Sequence, residues 1–282
     1  MLFRSRVFTD NIIDEPFAKE AKELLHAVAD KKEEVEVDAI LAKILELAKE
    51  SGLPNPDYAA RDAYVTTICH IGAKSLSHVL SCIERCKEKL VAIGNENPDA
   101  RSQIVGAVLS YWEDQPGIGA NVVDKLLNYS IVTPLSVIEW VLYDAGNKAL
   151  SHTHAWEMVS TTINKVNNRV RQIAAARPVM EGSDSGFTEE QLAVYKETLK
   201  NAEVEQGMIL KVVTEALTAM SQSSDEVDDK IDVESKAWIQ WWASGWLRAF
   251  SRKFGVPEKT EREVPGDLPA GMKIDPEDME TT

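Results

Sequence analysis

The sequence has few cysteines and no long apolar run, and each shortage excludes a class of protein. Three cysteines in 282 residues cannot form the disulfide framework of a small secreted domain, and they fit a reducing compartment. The start, MLFRSRVFTDNII, has no apolar run long enough for a signal peptide. No stretch of about 18 apolar residues is present to cross a membrane. The sequence therefore favours the cytosol or the nucleus, and it leaves both open.

Positive charge is also scarce. The chain has 31 lysines and arginines against 46 aspartates and glutamates, which gives a formal net charge of -15. A surface this acidic does not attract phosphate backbones over a broad area. We therefore expect another chain to make any contact with nucleic acid.

The short motifs of common active sites are missing as well. There is no GxxxxGK[ST], no GxGxxG after a strand, no HExxH and no CxxC pair. Carboxylates are plentiful, but they are scattered over predicted helix faces that contact solvent. The sequence thus predicts no catalytic residue, no metal and no cofactor, and it indicates a protein that is not an enzyme.

Amphipathic helices are what the sequence has in abundance. Proline follows a polar residue at several predicted helix starts, where its missing N–H costs nothing. These starts are Asp14-Glu15-Pro16, Asn97-Pro98, Gln115-Pro116 and Thr133-Pro134. Apolar residues at helical spacing follow each one, and no segment alternates with a period of two for long. The pattern predicts an all-α fold, and short linkers between sequential helix pairs favour an α-solenoid or a bundle.

Two later segments have a heptad-like spacing. Trp156 to Ile173 and Leu192 to Val213 both keep a 3-4 rhythm of apolar residues, and the loop RPVMEGSDSG lies between them. Thr188 and Gln191 match a capping box at the start of the second segment. The pattern predicts a short antiparallel coiled-coil hairpin at about 153–222. Gln206 occupies a seam position, where an amide lowers stability and can fix the register.

These patterns divide the chain into three parts. We expect a flexible amino-terminal segment at 1–13 and a helical-repeat domain, which includes the hairpin, at 14–254. The remaining residues, 255–282, contain four prolines, eight acidic residues and three basic ones. A segment of this composition cannot bury enough apolar surface to fold. It is therefore predicted to be a disordered acidic tail.

The stretch AKSLSHVLSCIERCKEKL contains His78, Cys82 and Cys86 at intervals of four. On one continuous helix His78 and Cys86 would stand about 12 Å apart along the axis, too far for one zinc ion at bonds of about 2 Å. The nearest further donors are Cys69 and His70. We interpret the cysteines as half-buried packing residues. A metal or thiol enzyme built on this helix is the alternative from a different class.

The remaining histidines offer no better catalytic site. Ser75 and Ser77 stand close to His78 in sequence, but neighbouring helix residues do not face each other, and no oxyanion-hole loop follows. Ser75 instead matches a helix start. His152 and His154 also lie near a predicted helix start, and we interpret both as capping or solvated residues.

The last predicted helix, Val233 to about Phe254, contains WIQWWASGWLRAF. Trp238, Trp242 and Trp246, together with Ala249, are predicted to form one broad face. Each ring buries on the order of 200 Å², so burial of this face against the domain is favoured over a stacking or protein-binding surface. Trp241 stands to the side and is the candidate partner-binding residue.

Three segments resemble a known family. They are YVTTICHIGAKSLSHVLSCIERCKEKL (64–90), QIVGAVLSYWEDQPGIGANVVDKLLNYSIVTPLSVIEWVL (103–142) and AWEMVSTTINKVNNRV (155–170). Together they resemble the large subunit of the nuclear cap-binding complex. The similarity covers the third and last helical-repeat domain of that subunit, and it is continuous from about 57 to 170.

The resemblance implies a fold of stacked antiparallel helix pairs, an ARM/HEAT-like solenoid of the type found in the middle domain of the translation-initiation scaffold. It also implies a non-enzymatic scaffold that holds a small subunit with an RNA-recognition motif, as a heterodimer in the full-length protein. The small subunit binds the 7-methylguanosine cap, so this chain would meet capped RNA only indirectly. Family roles include splicing, export and nonsense-mediated decay, in a nuclear protein that shuttles to the cytoplasm.

The sequence departs from that family in one respect. The first two domains and the amino-terminal import signal of the family have no counterpart in these 282 residues. We therefore expect that this chain does not bind a cap by itself. Another helical-repeat adaptor of RNA processing or translation is the alternative within the same class.

Overall fold

The computed structural model describes residues 17–146, 148–176, 188–222 and 233–254. The described helices are α1 (Ala18–Ala29), α2 (Glu34–Glu50), α3 (Pro56–Ile71), α4 (Leu76–Arg85), α5 (Lys87–Glu96), α6 (Pro98–Tyr111), α7 (Pro116–Asn128), α8 (Pro134–Glu139), α9 (Thr153–Ala175), α10 (Glu189–Gln222) and α11 (Val233–Phe254). A π-helical turn, Trp140–Asp144, extends α8, and a 3₁₀ turn, Ala149–Ser151, precedes α9. None of these residues forms a strand, and the all-α prediction is confirmed.

The described helices pack on helices that are close to them in the chain. Helix α1 contacts α3, α3 contacts α6, α6 contacts α8 and α8 contacts α10, while α4 contacts α7, α7 contacts α9 and α9 contacts α10. Contacts between helices one to three positions apart are typical of stacked helix pairs, in which each pair contacts only its neighbours. The fold is therefore the predicted solenoid rather than a closed bundle. Within the described ranges, no helix is both long and apolar enough to cross a membrane.

One apolar core runs through the whole stack. It extends from Phe17, just before α1, to Phe254 at the end of α11. Its largest fully buried side chains are Leu24, Ile44, Ile68, Ile83, Leu90, Ile104, Leu126, Ile131, Ile138, Ile163, Ile209 and Leu217. The hairpin and the last helix are thus part of the same core as the repeats.

Three of the predicted proline-led starts are confirmed, at α6, α7 and α8. At α6 the Ala100 N–H donates to the Asn97 side-chain oxygen at 2.7 Å. At α8 Thr133 and Ser136 form a reciprocal capping box. The predicted start at residues 14–16 lies outside the described residues, as do the segments 1–13 and 255–282.

The two Asn-Pro helix starts provide a matched test of capping. Asn97 caps α6 through its side chain, whereas Asn55 precedes Pro56 in the same way and makes no side-chain cap bond. We expect Asn97→Ala to lower the free energy of unfolding by about 1 kcal/mol, because a backbone N–H loses its acceptor. Asn55→Ala should change it by less than about 0.5 kcal/mol. Urea unfolding of both variants measures the difference, and equal losses would contradict the assignment.

The hairpin is antiparallel, as predicted. The Tyr195 hydroxyl donates to the Ile173 carbonyl at 2.9 Å, and the Gln206 amide donates to the Asn167 side-chain oxygen at 2.7 Å. Later residues of α10 therefore meet earlier residues of α9. Gln206 does lie at the interface of the two helices, where its amide has a polar partner on the opposite helix.

Apolar seam residues fill most of this interface. Those that are buried are Val159, Ile163 and Val166 of α9 and Leu199, Ala202, Ile209 and Val213 of α10. The capping box at the start of α10 is also present: the Thr188 N–H donates to the Gln191 side-chain oxygen at 3.0 Å, and the Gln191 N–H donates to the Thr188 hydroxyl at 3.2 Å. The heptad pattern thus identified the seam correctly.

Candidate interaction surface

The first candidate site, His78 with Cys82 and Cys86, does not lie on one continuous helix. The chain bends at Cys86, which ends α4 and precedes α5 with φ -94° and ψ 11°. The expectation of a single helix over this stretch was wrong, because α4 packs against α7 whereas α5 packs against α6. The two helices therefore pack their apolar sides against different partners.

The cysteines lie in environments that suit packing. Cys69 is buried in α3, and burial raises the pKa of its thiol to about 12. Cys82 is half-buried, and burial raises the pKa of its thiol as well. A thiol that stays protonated at neutral pH is a poor nucleophile and a poor metal ligand. In the part of the chain that the structure describes, no three His, Cys, Asp or Glu side chains come together in a way that could hold a metal ion.

Ser75 and His78 do contact each other, which the sequence had not led us to expect. Ser75 caps α4: its hydroxyl accepts from the His78 backbone N–H and lies 2.8 Å from the ring Nδ1. Both residues are exposed, so the contact belongs to a helix cap at the surface. His152 precedes α9 without a side-chain cap bond, and its ring stacks on that of His154 with centroids 5.2 Å apart.

The last helix, α11, packs on α10 and on the 3₁₀ turn. Its fully buried side chains are Ala243, Trp246, Phe250 and Phe254. The Trp246 ring meets the Trp156 ring of α9 edge-on, with centroids 5.1 Å apart. The predicted buried face was wrong in part, because Ala249 is exposed and Trp238 is 51% exposed. The buried residues follow a 3-4-4 spacing that shifts the contact face toward the two phenylalanines.

Trp238 and Trp241 stack on each other at the surface, and we call them the tryptophan pair. Their ring centroids are 5.7 Å apart and the ring planes differ by 13°. Trp242 lies perpendicular to both rings, with centroid distances of 5.9 and 5.0 Å. Trp241 is 60% exposed, so the candidate partner-binding residue does lie at the surface, and its role in binding stays a prediction. The i, i+3 spacing of the two rings was the signal that could have identified Trp238 as its neighbour.

A small cleft lies between α7, α8 and α9. It has a volume of about 160 Å³, and its lining includes Gly117, Asn121, Asp124, Glu157 and Thr161. Small-molecule sites usually measure about 300 Å³ or more. This cleft is therefore large enough for a single side chain and too small for a nucleotide.

Comparison with known proteins gives a consistent result. The family model described as MIF4G like matches residues 11–259. Nuclear cap-binding protein subunit 1 of Schizosaccharomyces pombe is 24% identical over 239 residues, which cover 85% of this chain and 26% of that protein. The human protein of the same name is 26% identical over 112 residues, which cover 40% of this chain and 14% of that protein. The Xenopus tropicalis protein is 23% identical over 171 residues, 54% of this chain and 22% of that protein.

The chain thus spans about a quarter or less of the length of these curated relatives. The resemblance to a cap-binding large subunit, which the sequence indicated, is confirmed by relatives in several species. The family match encloses every helix from α1 to α11, and the stacked helices agree with it. The chain belongs to the MIF4G-like family.

Proposed function

We propose that the chain is a scaffold domain of a nuclear cap-binding complex, the third and last helical-repeat domain of its large subunit. In this role it supports a small subunit with an RNA-recognition motif, and the small subunit binds the 7-methylguanosine cap. The observation that carries the proposal is the similarity to nuclear cap-binding protein subunit 1 over 85% of this chain. The proposal includes a nuclear location with shuttling to the cytoplasm, and roles in splicing, export and nonsense-mediated decay.

The charge of the chain supports a scaffold role. A net charge of -15 favours contact with a basic RNA-binding partner, and it does not compete with that partner for phosphates. The residues considered for catalysis support it too, because Cys69 is a buried thiol and Ser75 with His78 is a helix cap. We therefore assign the chain a non-catalytic role in a heterodimer of the full-length protein.

Co-expression with the small RNA-recognition-motif subunit of the same organism tests the proposal. We expect the small subunit to copurify with the 282-residue chain, and an unrelated protein with the same motif to stay unbound. The full-length large subunit is the positive control for an active small subunit. Retention by the full-length protein with none by this chain would contradict a supporting role for this domain.

The chain alone is predicted not to bind a cap. Cap recognition of this kind places a positively charged methylated base between two aromatic rings, which must stand about 7 Å apart to admit it. Trp238 and Trp241 are nearly parallel, but they stack directly on each other, so no base fits between them. We expect no saturable quenching of tryptophan fluorescence by a 7-methylguanosine cap analogue, with unmethylated nucleotide as the control. Quenching selective for the methylated base would contradict the scaffold interpretation.

A further inference from the structure

We infer that the tryptophan pair, Trp238 and Trp241, binds an arginine-bearing segment of a partner protein. This contact goes beyond the proposed function, because it requires neither a cap nor the small subunit. It is a second surface, placed on the side of α11 that does not enter the core.

Burial in the domain does not explain the pair. The aromatic residues with which α11 joins the core are Trp246, Phe250 and Phe254, which are 5–7% exposed. Trp238 and Trp241 are 51% and 60% exposed on the same helix. Large aromatic side chains in such an exposed cluster mark an interaction surface more often than isolated exposed residues do. A bound partner would bury the exposed surface of these two rings.

The rings of the tryptophan pair are already stacked in the protein without a partner. Trp242, which packs partly against the core, holds its ring edge-on to both. Tryptophan has few rotatable bonds, so a pre-stacked pair loses little conformational entropy when it is covered. Tryptophan and arginine are the residues most enriched at the centres of protein interfaces.

The net charge of the chain indicates which kind of partner segment the tryptophan pair binds. The chain as a whole is strongly acidic, with a formal net charge of -15. An acidic surface attracts a basic segment and repels the phosphates of RNA. The face of an indole ring attracts a cation as well. Arginine satisfies both, because its planar guanidinium stacks on the ring and pairs with carboxylates, whereas lysine is a compact, strongly hydrated charge.

The tryptophan pair is exposed enough for such a contact. Four lysines of the described residues lie over aromatic rings, and the rings they cover are those of Tyr64, Tyr129 and Phe254. Trp238 and Trp241, at 51% and 60% exposure, are more open to solvent than the aromatic side chains with which α11 enters the core. A guanidinium from a partner can contact these rings.

A comparison of two end-capped peptides, one of six arginines and one of six lysines, tests the inference. Both peptides have the same charge, so a difference in affinity reports stacking of arginine on the rings rather than general attraction to an acidic chain. We expect the 282-residue protein to bind the arginine peptide about tenfold more tightly than the lysine peptide in a fluorescence anisotropy titration at low salt. The double variant Trp238→Ala/Trp241→Ala should bind both peptides with the affinity of the lysine peptide. The control Tyr143→Ala removes another aromatic residue, 58% exposed on the π turn, and should keep the tenfold preference.

A second double variant controls for loss of structure in the alanine variant. Trp238→Leu/Trp241→Leu keeps apolar bulk without an aromatic face, and it should lose the arginine preference while circular dichroism shows the wild-type helix content. An arginine preference that survives in the leucine variant would overturn the inference. Binding of a single-stranded uridine oligonucleotide that depends on the tryptophans, with no arginine preference, would also overturn it and assign the pair to RNA.

Discussion

Replacing Ile163 by aspartate is expected to lower the free energy of unfolding by about 4 kcal/mol or more. Ile163 is 1% exposed in the seam of the hairpin and belongs to the core that extends through the repeats. The substitution removes a large buried apolar side chain, which typically costs about 2–5 kcal/mol. It also places an unpaired carboxylate among apolar side chains, and the cost of burying that charge adds to the loss.

The next residue provides the control. Asn164 is exposed on the same helix, so Asn164→Asp adds the same charge outside the seam and should change the free energy of unfolding by less than about 0.5 kcal/mol. Urea unfolding followed by circular dichroism measures both variants. If Ile163→Asp were no more destabilising than Asn164→Asp, the hairpin would not be part of the cooperative core.

The second large effect is expected at Gly94. This glycine lies in α5, where an added Cβ would stand 2.1 Å from the backbone carbonyl oxygen of Ile131. A backbone atom cannot move aside as a flexible side chain does, so Gly94→Ala must push α5 away from the loop that follows α7. Overpacking of this kind costs about 1–3 kcal/mol and occasionally more. We expect a loss of about 3 kcal/mol in the free energy of unfolding.

Gly207 is the matched control for that change. It lies inside α10, and an added Cβ there would have no atom within 4 Å. Because alanine is the better helix former, Gly207→Ala should raise the free energy of unfolding by about 0.5–1 kcal/mol. Two identical substitutions in two helices are thus predicted to have opposite signs. Thermal and urea unfolding of both variants measure the signs, and a loss of stability in Gly207→Ala would show that α10 has a neighbour at this position.

Local signals allowed much of the fold to be predicted from the sequence. The proline-led starts at Asn97 and Thr133 and the capping box at Thr188 each depend on residues within one turn of a helix, so the sequence could indicate them. The hairpin seam was predictable because a 3-4 rhythm fixes which side of each helix is apolar. These features need no knowledge of distant neighbours.

The errors arose where distant contacts decide the structure. The break at Cys86 separates two helices with different packing partners, α7 for α4 and α6 for α5, and nothing within the stretch itself indicates those partners. The face of α11 was misassigned because tryptophans follow one stripe while Trp246, Phe250 and Phe254 follow another. The sequence periodicity shows both apolar faces of α11. Which face is buried is decided by where α9 and α10 lie.

The hairpin joins the domain through only one of its ends. Ile209, Val213 and Leu217 of α10 belong to the main core, whereas the buried Leu199 and Ala202, nearer to the start of that helix, lie outside it. Among the described residues, the part of the hairpin near Leu199 therefore lies outside the core of the repeats, and we expect it to open more readily than the rest of the domain. In evolutionary terms, whole turns can be added to or removed from both helices at that end while the body of the domain stays intact. We therefore expect the length of the hairpin to be constrained less by the stability of the fold than the lengths of the repeat helices are.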